Sequence, residues 1–383
     1  MLGAWATEIP LVKERLGLDT ATLGLALICS AIGGVASMQF AGALMRRLGD
    51  VALLRTTILL GCVMLPVAVA SVDGWMLAIA LLLFGAGFGL VDLVMNAQAV
   101  QVEDRAGRPI MSGLHGMWSL GGLCGAALGS ALLALVPPVW QAGLLAGTGW
   151  LAVWCVAGSM LPMGGGARVR HAPRIRGLMW RAPLLLTGAS MALAFAVEGA
   201  LLDWSAIFLR EAHHLPRSQA GLGYAAFAGS MLAGRLTGDR ARARWGDRRV
   251  LQGPILGAVF LAAAALCPDA WMAIAGFALT GIMICNVAPI LFNAAGRLGE
   301  AAGPGGATQA MASVVSLGYV GIMAAPPLFG FVARQSSLST ALCVAAALCF
   351  LLGLGAAAVA ASTTAPRRAV AATAPATMSA RGP

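Results

Sequence analysis

The sequence predicts an all-α polytopic membrane protein. Of its 383 residues, 59% are hydrophobic and only 10% are charged, whereas soluble domains carry about 25% charged residues. The apolar residues form blocks of roughly 20, which is the length that lets a helix cross the hydrocarbon core. A membrane β-barrel would instead show shorter segments of alternating polarity.

The spans can be followed in order along the chain. Residues 1–20 are too short and too polar to span, and they lack the basic start and apolar core of a signal peptide. Apolar spans are then predicted at about 21–45, 51–70, 75–99, 113–136 and 141–161, and after a link at about 184–209, 219–238, 250–267, 271–294, 308–333 and 338–361. The composition of the tail is typical of disorder.

The two groups of spans repeat one another. Trp5 falls on Trp204 at a shift of 199 residues, and Gly24 falls on Gly223 at the same shift. The segments RRLGD, DGWM and SLGG of the first group fall in order on ARWGD, DAWM and SLGY of the second, and the shift drifts only from 199 to 196. An internal repeat of this kind predicts two pseudo-symmetric helical bundles.

The repeat also predicts a missing span. Some 20 apolar residues precede Trp204, but only four residues precede Trp5, so 11 spans of an expected 12 are present. A genuine eleven-span architecture is the alternative, and the sequence upstream of Met1 would decide between the two. The predicted domains are an N-terminal bundle (1–162), a basic linker (163–183), a C-terminal six-span bundle (184–361) and a disordered tail (362–383).

The placement of basic residues predicts the orientation. With the central linker in the cytoplasm, twenty basic residues lie inside, Arg235 among them, and five lie outside: Lys13, Arg15, Arg210, Arg217 and Arg334. We therefore expect a multi-pass protein of the bacterial inner membrane, with the linker and the C-terminus cytoplasmic. The net charge of +10 then reflects topology in a lipid bilayer, and we expect no nucleic-acid partner and a monomer.

Several chemistries are not predicted. All eight cysteines lie in apolar segments without a CxxC pair, so neither a disulfide framework nor a metal site is expected. HExxH, GxSxG and P-loop motifs do not occur. We therefore expect no cofactor and no enzymatic activity.

The first group of spans carries polar residues at membrane depth. Asp92 and Asn96 are four residues apart and share a helix face. An intramembrane carboxylate is costly and is by default functional, so the pair is expected to bind a polar solute or carry a proton, with a helix-tying pair as the alternative. His115 begins the next span and either relays protons or caps the helix. Trp118 and Trp204 are expected either to stack on a sugar-like ring or to serve as packing or interface residues.

The second group supplies the opposing wall of the expected cavity. Glu198 lies in the middle of a span and Asp203 lies nearer its outer end. A desolvated carboxylate can exchange protons near neutrality, and a salt bridge to an arginine is the alternative for Glu198. Asn286 is expected to line the cavity if Pro289, which removes a backbone hydrogen bond, kinks its helix.

The chain resembles the major facilitator superfamily. GALMRRLGD (42–50) is similar to the gating-loop pattern of that family, with matches at Gly42, Arg47 and Gly49, although Arg46 stands where the family has Asp. The second copy is looser and has Asp239, Arg244 and Gly246. The segments WATEIPLVKERLGL, GFGLVDLVMNAQAVQVE and GRPIMSGLHGMWSLGG resemble the MosC-like branch, near fucose-permease-like transporters.

The resemblance implies a function. It implies the major facilitator fold and alternating access around a site at the bilayer midplane. We expect a secondary active transporter of a small polar solute, sugar-, polyol- or organic-acid-like, that is proton-coupled through Glu198 or Asp92. A multidrug or metabolite exporter is an alternative, although the Gly-Pro usual in drug antiporters is absent. A non-transporting receptor or sensor on the same scaffold is the other alternative.

Overall fold

A computed structural model describes residues 1–106, 111–160, 182–300 and 306–364. Within these ranges the chain is almost entirely helical and contains no strand. Nine helical segments of this part are long and apolar enough to cross a membrane, and the longest of them, 217–266, has the length of two spans. The fold class predicted from the sequence is confirmed, whereas most of the linker and of the tail lies outside the described residues.

The described residues form thirteen α-helices. Those before the linker are α1 (Leu2–Leu16), α2 (Thr20–Leu48), α3 (Asp50–Ala70), α4 (Gly74–Ala106), α5 (Met111–Leu132) and α6 (Pro138–Val156). Those after it are α7 (Ala182–Glu211), α8 (Arg217–Ala220), α9 (Leu222–Leu266), α10 (Ala270–Ile284), α11 (Val287–Glu300), α12 (Gly306–Gln335) and α13 (Leu338–Thr364).

Helix α1 is short but deeply packed. It lies against α5 and α7, and Trp5 is almost fully buried. At the shift of 199 residues found in the sequence, α1 corresponds to the second half of α7 and Trp5 to Trp204, which is also buried. The polar N-terminal stretch therefore belongs to the bundle, even though it is too short to span.

Helix ends follow local sequence signals. Asp19 caps α2 by accepting a hydrogen bond from the Thr22 amide at 2.9 Å, and Asp269 caps α10 through the Met272 amide at 2.8 Å. The backbone hydrogen bond from Thr22 holds the pKa of Asp19 below its ordinary value. Asp19 is therefore ionised at neutral pH and available to a cation.

The two copies of the gating-loop motif adopt the same backbone corner. Gly49 separates α2 from α3 with φ 75° and ψ 165°, and Gly246 bends α9 with φ 76° and ψ 154°. Positive φ is favourable for glycine and strained for other residues. The corner at Gly246 lies between the predicted spans 219–238 and 250–267. It divides α9 into two helical stretches, one for each span.

Small residues bring the helices close together. Helix α2 packs on α4 and α12, α7 packs on α12, and α9 packs on α5, α10 and α13. A Cβ added at Gly85 of α4 would overlap the carbonyl oxygen of Ser30 in α2, and one added at Gly321 of α12 would overlap that of Ala192 in α7. Backbone contacts of this kind are typical of membrane helix pairs.

Candidate functional site

Arg235 is the centre of a polar cluster between the two groups of helices. Its side chain is 12% exposed. Arg235 Nη1 donates a hydrogen bond to Ser119 Oγ of α5 at 2.6 Å. From the sequence, Arg235 was counted among the basic residues of the cytoplasmic side and received no role in the site. In the structure α9 continues past it, and its guanidinium contacts polar partners.

A proline provides the second anchor of Arg235. Pro289 has no amide hydrogen, so it cannot donate to the carbonyl four residues earlier, which belongs to Cys285. The helical path is broken there, between α10 and α11, and Arg235 Nε donates to the free Cys285 carbonyl at 3.3 Å. The expected break near Pro289 is thus present, and it supplies an acceptor for Arg235.

Glu198 of α7 lies beside this arginine. Glu198 Oε1 is 3.9 Å from Arg235 Nη2, so the salt bridge weighed as an alternative role for Glu198 is present in a loose form. Tyr224 of α9 lies within electrostatic range of Glu198, Asp203 and Arg235. Among the described residues, Asp203 has no hydrogen-bond or ion-pair partner. The cluster therefore combines one cation, two carboxylates and a phenol.

A second polar cluster joins α4 to α12. Asn96 Nδ2 donates to Asp92 Oδ1 at 3.1 Å, so the predicted pairing along one helix face is present. The Tyr319 hydroxyl of α12 also hydrogen-bonds the Asp92 carboxylate. The ring of Tyr319 contacts that of Phe195, with centroids 6.5 Å apart, and Phe195 lies one turn before Glu198. The aromatic contact connects the two clusters.

The other residues proposed for the pathway occupy different surroundings. Trp118 is partly exposed, and its ring is 5.1 Å from that of Phe88. Trp204 is fully buried and closely packed near Gly330. Asn286 Nδ2 donates to the Gly234 carbonyl at 3.3 Å, next to Arg235. The side chain of His115 lies outside the described residues, so its proposed role stays a prediction.

The gating-loop residues of the second copy form a group of ion pairs. Arg242 Nε bonds Asp247 Oδ1 at 2.8 Å, and Asp247 Oδ2 is 3.9 Å from Arg297. Asp239 is exposed and 3.8 Å from Arg242, while Arg244 is exposed. Arg47 lies on the exposed end of α2, and the surroundings of Gly42 lie outside the described residues.

Three ion pairs close the end of the bundle where α1 ends and α2 begins, which we term the arginine-poor end. Each joins a residue of α1 or α2 to one of α7 or α12. They are Lys13–Glu211 at 2.6 Å, Glu14–Arg210 at 2.8 Å and Asp19–Arg334 at 3.9 Å. At the opposite end, the ion pairs of Asp247 with Arg242 and Arg297 lie within the second group of helices. The conformation is therefore closed at the arginine-poor end.

Reversing one charge of this closure is expected to loosen it. Glu211→Lys places two cations where Lys13 and Glu211 now bond, so the ends of α1 and α7 should be destabilised by about 1 kcal/mol. Hydrogen exchange of peptides covering these ends should become faster, and the double variant Lys13→Glu/Glu211→Lys should restore the slow rate. Glu300→Lys, at the opposite end, is the control. Unchanged exchange in Glu211→Lys would remove the closing role.

Glu8 of α1 is a buried acid that the sequence did not assign to the site. It is fully buried, and neither carboxylate oxygen has a hydrogen-bond partner among the described residues. A group in this state is costly as an anion, which favours the neutral acid.

An apolar groove of about 370 Å³ between α3 and α6, lined by Pro66 and Trp150 among others, contains none of the predicted polar residues.

Comparisons with known proteins agree on one family. The profile of the Major Facilitator Superfamily matches residues 3–303. An uncharacterized MFS-type transporter of Yersinia pestis is 40% identical over 347 residues, which cover 90% of this chain and 88% of the relative. The membrane protein MosC of Rhizobium meliloti is 29% identical over 343 residues, covering 89% and 82%. A mutant of the nucleoside transporter NupG has a similar fold, with a TM-score of 0.73, 13% identity and coverage of 93% and 95%.

Proposed function

Because this chain belongs to the Major Facilitator Superfamily and is a secondary membrane transporter, we propose that it moves a small polar solute across the inner membrane in a cycle coupled to the binding and release of a proton. The observation that carries the proposal is the loose ion pair between Glu198 and Arg235, 3.9 Å long and partly accessible in the membrane interior. Charged groups at this depth are rare outside ion and substrate pathways.

Proton coupling needs a group whose charge changes the contacts between the two sets of helices. Glu198 contacts Arg235, and Arg235 also binds Ser119 of α5. A proton on Glu198 removes the negative charge that partly neutralises Arg235. The guanidinium can then bind other acceptors more strongly. Because the proton binds one conformation more tightly than the other, it shifts the equilibrium between them. Asp92, bonded to Tyr319 across the same boundary, is the second candidate carrier.

The closed arginine-poor end gives this conformation a place in the transport cycle. With the orientation expected from the basic residues, that end faces outward, so the conformation admits solute from the cytoplasm. Opening to the outside requires the ion pairs of Lys13, Glu14 and Asp19 with α7 and α12 to break. Ion pairs exposed to water contribute little each, so the closure is readily reversible.

Reconstituted protein tests the proposal directly. Radiolabelled sugars, polyols, organic acids and nucleosides are supplied outside proteoliposomes that hold the unlabelled solute for counterflow or buffer for accumulation. Nucleosides are included because a protein of similar fold is a nucleoside transporter. We expect counterflow of one class, and accumulation of that class when an inward proton gradient is imposed. Accumulation that ignores the pH gradient would remove the coupling. Binding without counterflow would favour a receptor instead of a transporter.

A further inference from the structure

We propose that the transported solute carries one carboxylate, that this carboxylate binds Arg235, and that Glu198 competes with it for the guanidinium. The inference rests on the proposed transport function and narrows its substrate class from polar solutes to monocarboxylates. It follows from the unused hydrogen-bonding capacity of Arg235 and from the charge balance of its surroundings.

Among the described residues, the guanidinium of Arg235 has hydrogen-bond acceptors for Nε and Nη1 but none within hydrogen-bond distance of Nη2. Arginine has five N–H donors. Nε is used by the Cys285 carbonyl and one Nη1 donor by Ser119. Nη2 faces Glu198 at 3.9 Å, which is longer than a hydrogen bond. The remaining Nη1 and Nη2 donors form the edge that a carboxylate binds in a bidentate manner.

Charge balance favours an anion on that edge. When Glu198 is ionised, it offsets the charge of Arg235. When Glu198 takes a proton, Arg235 is left without a counter-ion in the membrane interior, which is unfavourable. A solute carboxylate restores the balance, whereas a neutral sugar or polyol cannot. Proton binding and anion binding therefore reinforce each other, and the complex carries both together.

The remaining ionisable groups nearby limit the solute to one negative charge. The groups that face Glu198 and Arg235 are Tyr224 of α9 and Cys285 after α10, and Asp203 of α7 lies beyond them, within electrostatic range of Tyr224. Asp92 of α4 is already bonded by Asn96. A second carboxylate on the solute would find no described cation beside this cluster, and one extending past Tyr224 would approach Asp203, a group of its own sign. A monocarboxylate fits the cluster best.

Matched acids and alcohols test the inference on the intact protein. Binding of gluconate, sorbitol, glycerate, glycerol and glucosamine is measured by ligand-dependent thermal stabilisation and by proteoliposome counterflow, at pH 6 and pH 8. We expect at least ~10-fold tighter binding of an acid than of its alcohol. This factor is the change in affinity expected for one hydrogen bond between charged groups. Binding should tighten as the pH is lowered from 8 to 6, because in this proposal protonation of Glu198 frees the guanidinium while both acids stay ionised.

Two variants separate this outcome from a general loss of structure. Glu198→Gln keeps the shape of the neutral acid, so it should bind the acids equally at both pH values and as tightly as the unmodified chain at pH 6. Arg235→Gln should lose the preference for acids, and Arg248→Gln, in the exposed bend of α9, should keep it. Sorbitol, glycerol or glucosamine binding as tightly as the acids would overturn the inference. Counterflow of neutral solutes alone would do so too while sustaining the transport function, and absence of counterflow for every class would overturn both.

Discussion

The variant Glu198→Gln is expected to exchange solute across the membrane but to lose accumulation driven by a pH gradient. A gradient of one pH unit supports about tenfold accumulation at one proton per solute, and the variant should fall to roughly equal concentrations on both sides. The reason is that Gln cannot bind and release the proton that alters the pairing of Arg235. Radiolabelled uptake into proteoliposomes, measured beside counterflow, checks both halves of the expectation.

A control for this prediction comes from another buried acid. Glu8→Gln removes a carboxylate whose oxygens have no described hydrogen-bond partner, and this variant should retain accumulation if Glu198 is the carrier. Full acid-driven accumulation in Glu198→Gln would assign the proton elsewhere. Loss of accumulation in Glu8→Gln alone would then assign proton binding to α1, where Glu8 lies.

The substitution Gly85→Ala is expected to be among the most destabilising single methyl additions in the chain. Its Cβ would overlap the backbone carbonyl of Ser30, and neither helix can relieve this without moving apart from its partner. Overpacking commonly costs about 1–3 kcal/mol, and a clash with backbone belongs at the upper end. Thermal unfolding in detergent should show a midpoint lowered by several degrees.

Gly121→Ala in α5 is the matched control. An added Cβ there meets nothing within 4 Å, and alanine favours helix over glycine by about 1 kcal/mol. This variant should therefore unfold at the same or a higher temperature. Equal unfolding temperatures for Gly85→Ala and Gly121→Ala would show that α2 and α4 do not approach as closely as the structure indicates.

The helical class and the repeat could be predicted from the sequence because they depend on local properties. Hydrophobic block length determines where helices cross, and the repeat places glycine at both corners. Asp92 and Asn96 were also predictable as a pair, since four residues of helix bring them to one face. What these residues touch on other helices could not be predicted, because it depends on packing between distant segments.

Arg235, Tyr224 and Tyr319 were missed for identifiable reasons. Arg235 lies near the end of the predicted span 219–238, so it was counted with the basic residues that set the orientation and not as a site residue. The two tyrosines are the only ones in the chain, and both lie in the polar clusters. A phenol that is rare in so apolar a sequence is a usable signal, because its hydroxyl needs a partner in the membrane interior.

The corners at Gly49 and Gly246 carry a consequence for how the two halves came to differ. Their backbone angles agree within about ten degrees. Asp247 pairs with Arg242 and Arg297, however, and the matching positions of the first copy hold no arginine. The feature that the copies still share is thus a backbone angle, and the side-chain contacts were free to diverge around it. The second half thus holds its bend with the charged pairs of Asp247, Arg242 and Arg297, a set of side chains that the first half does not repeat.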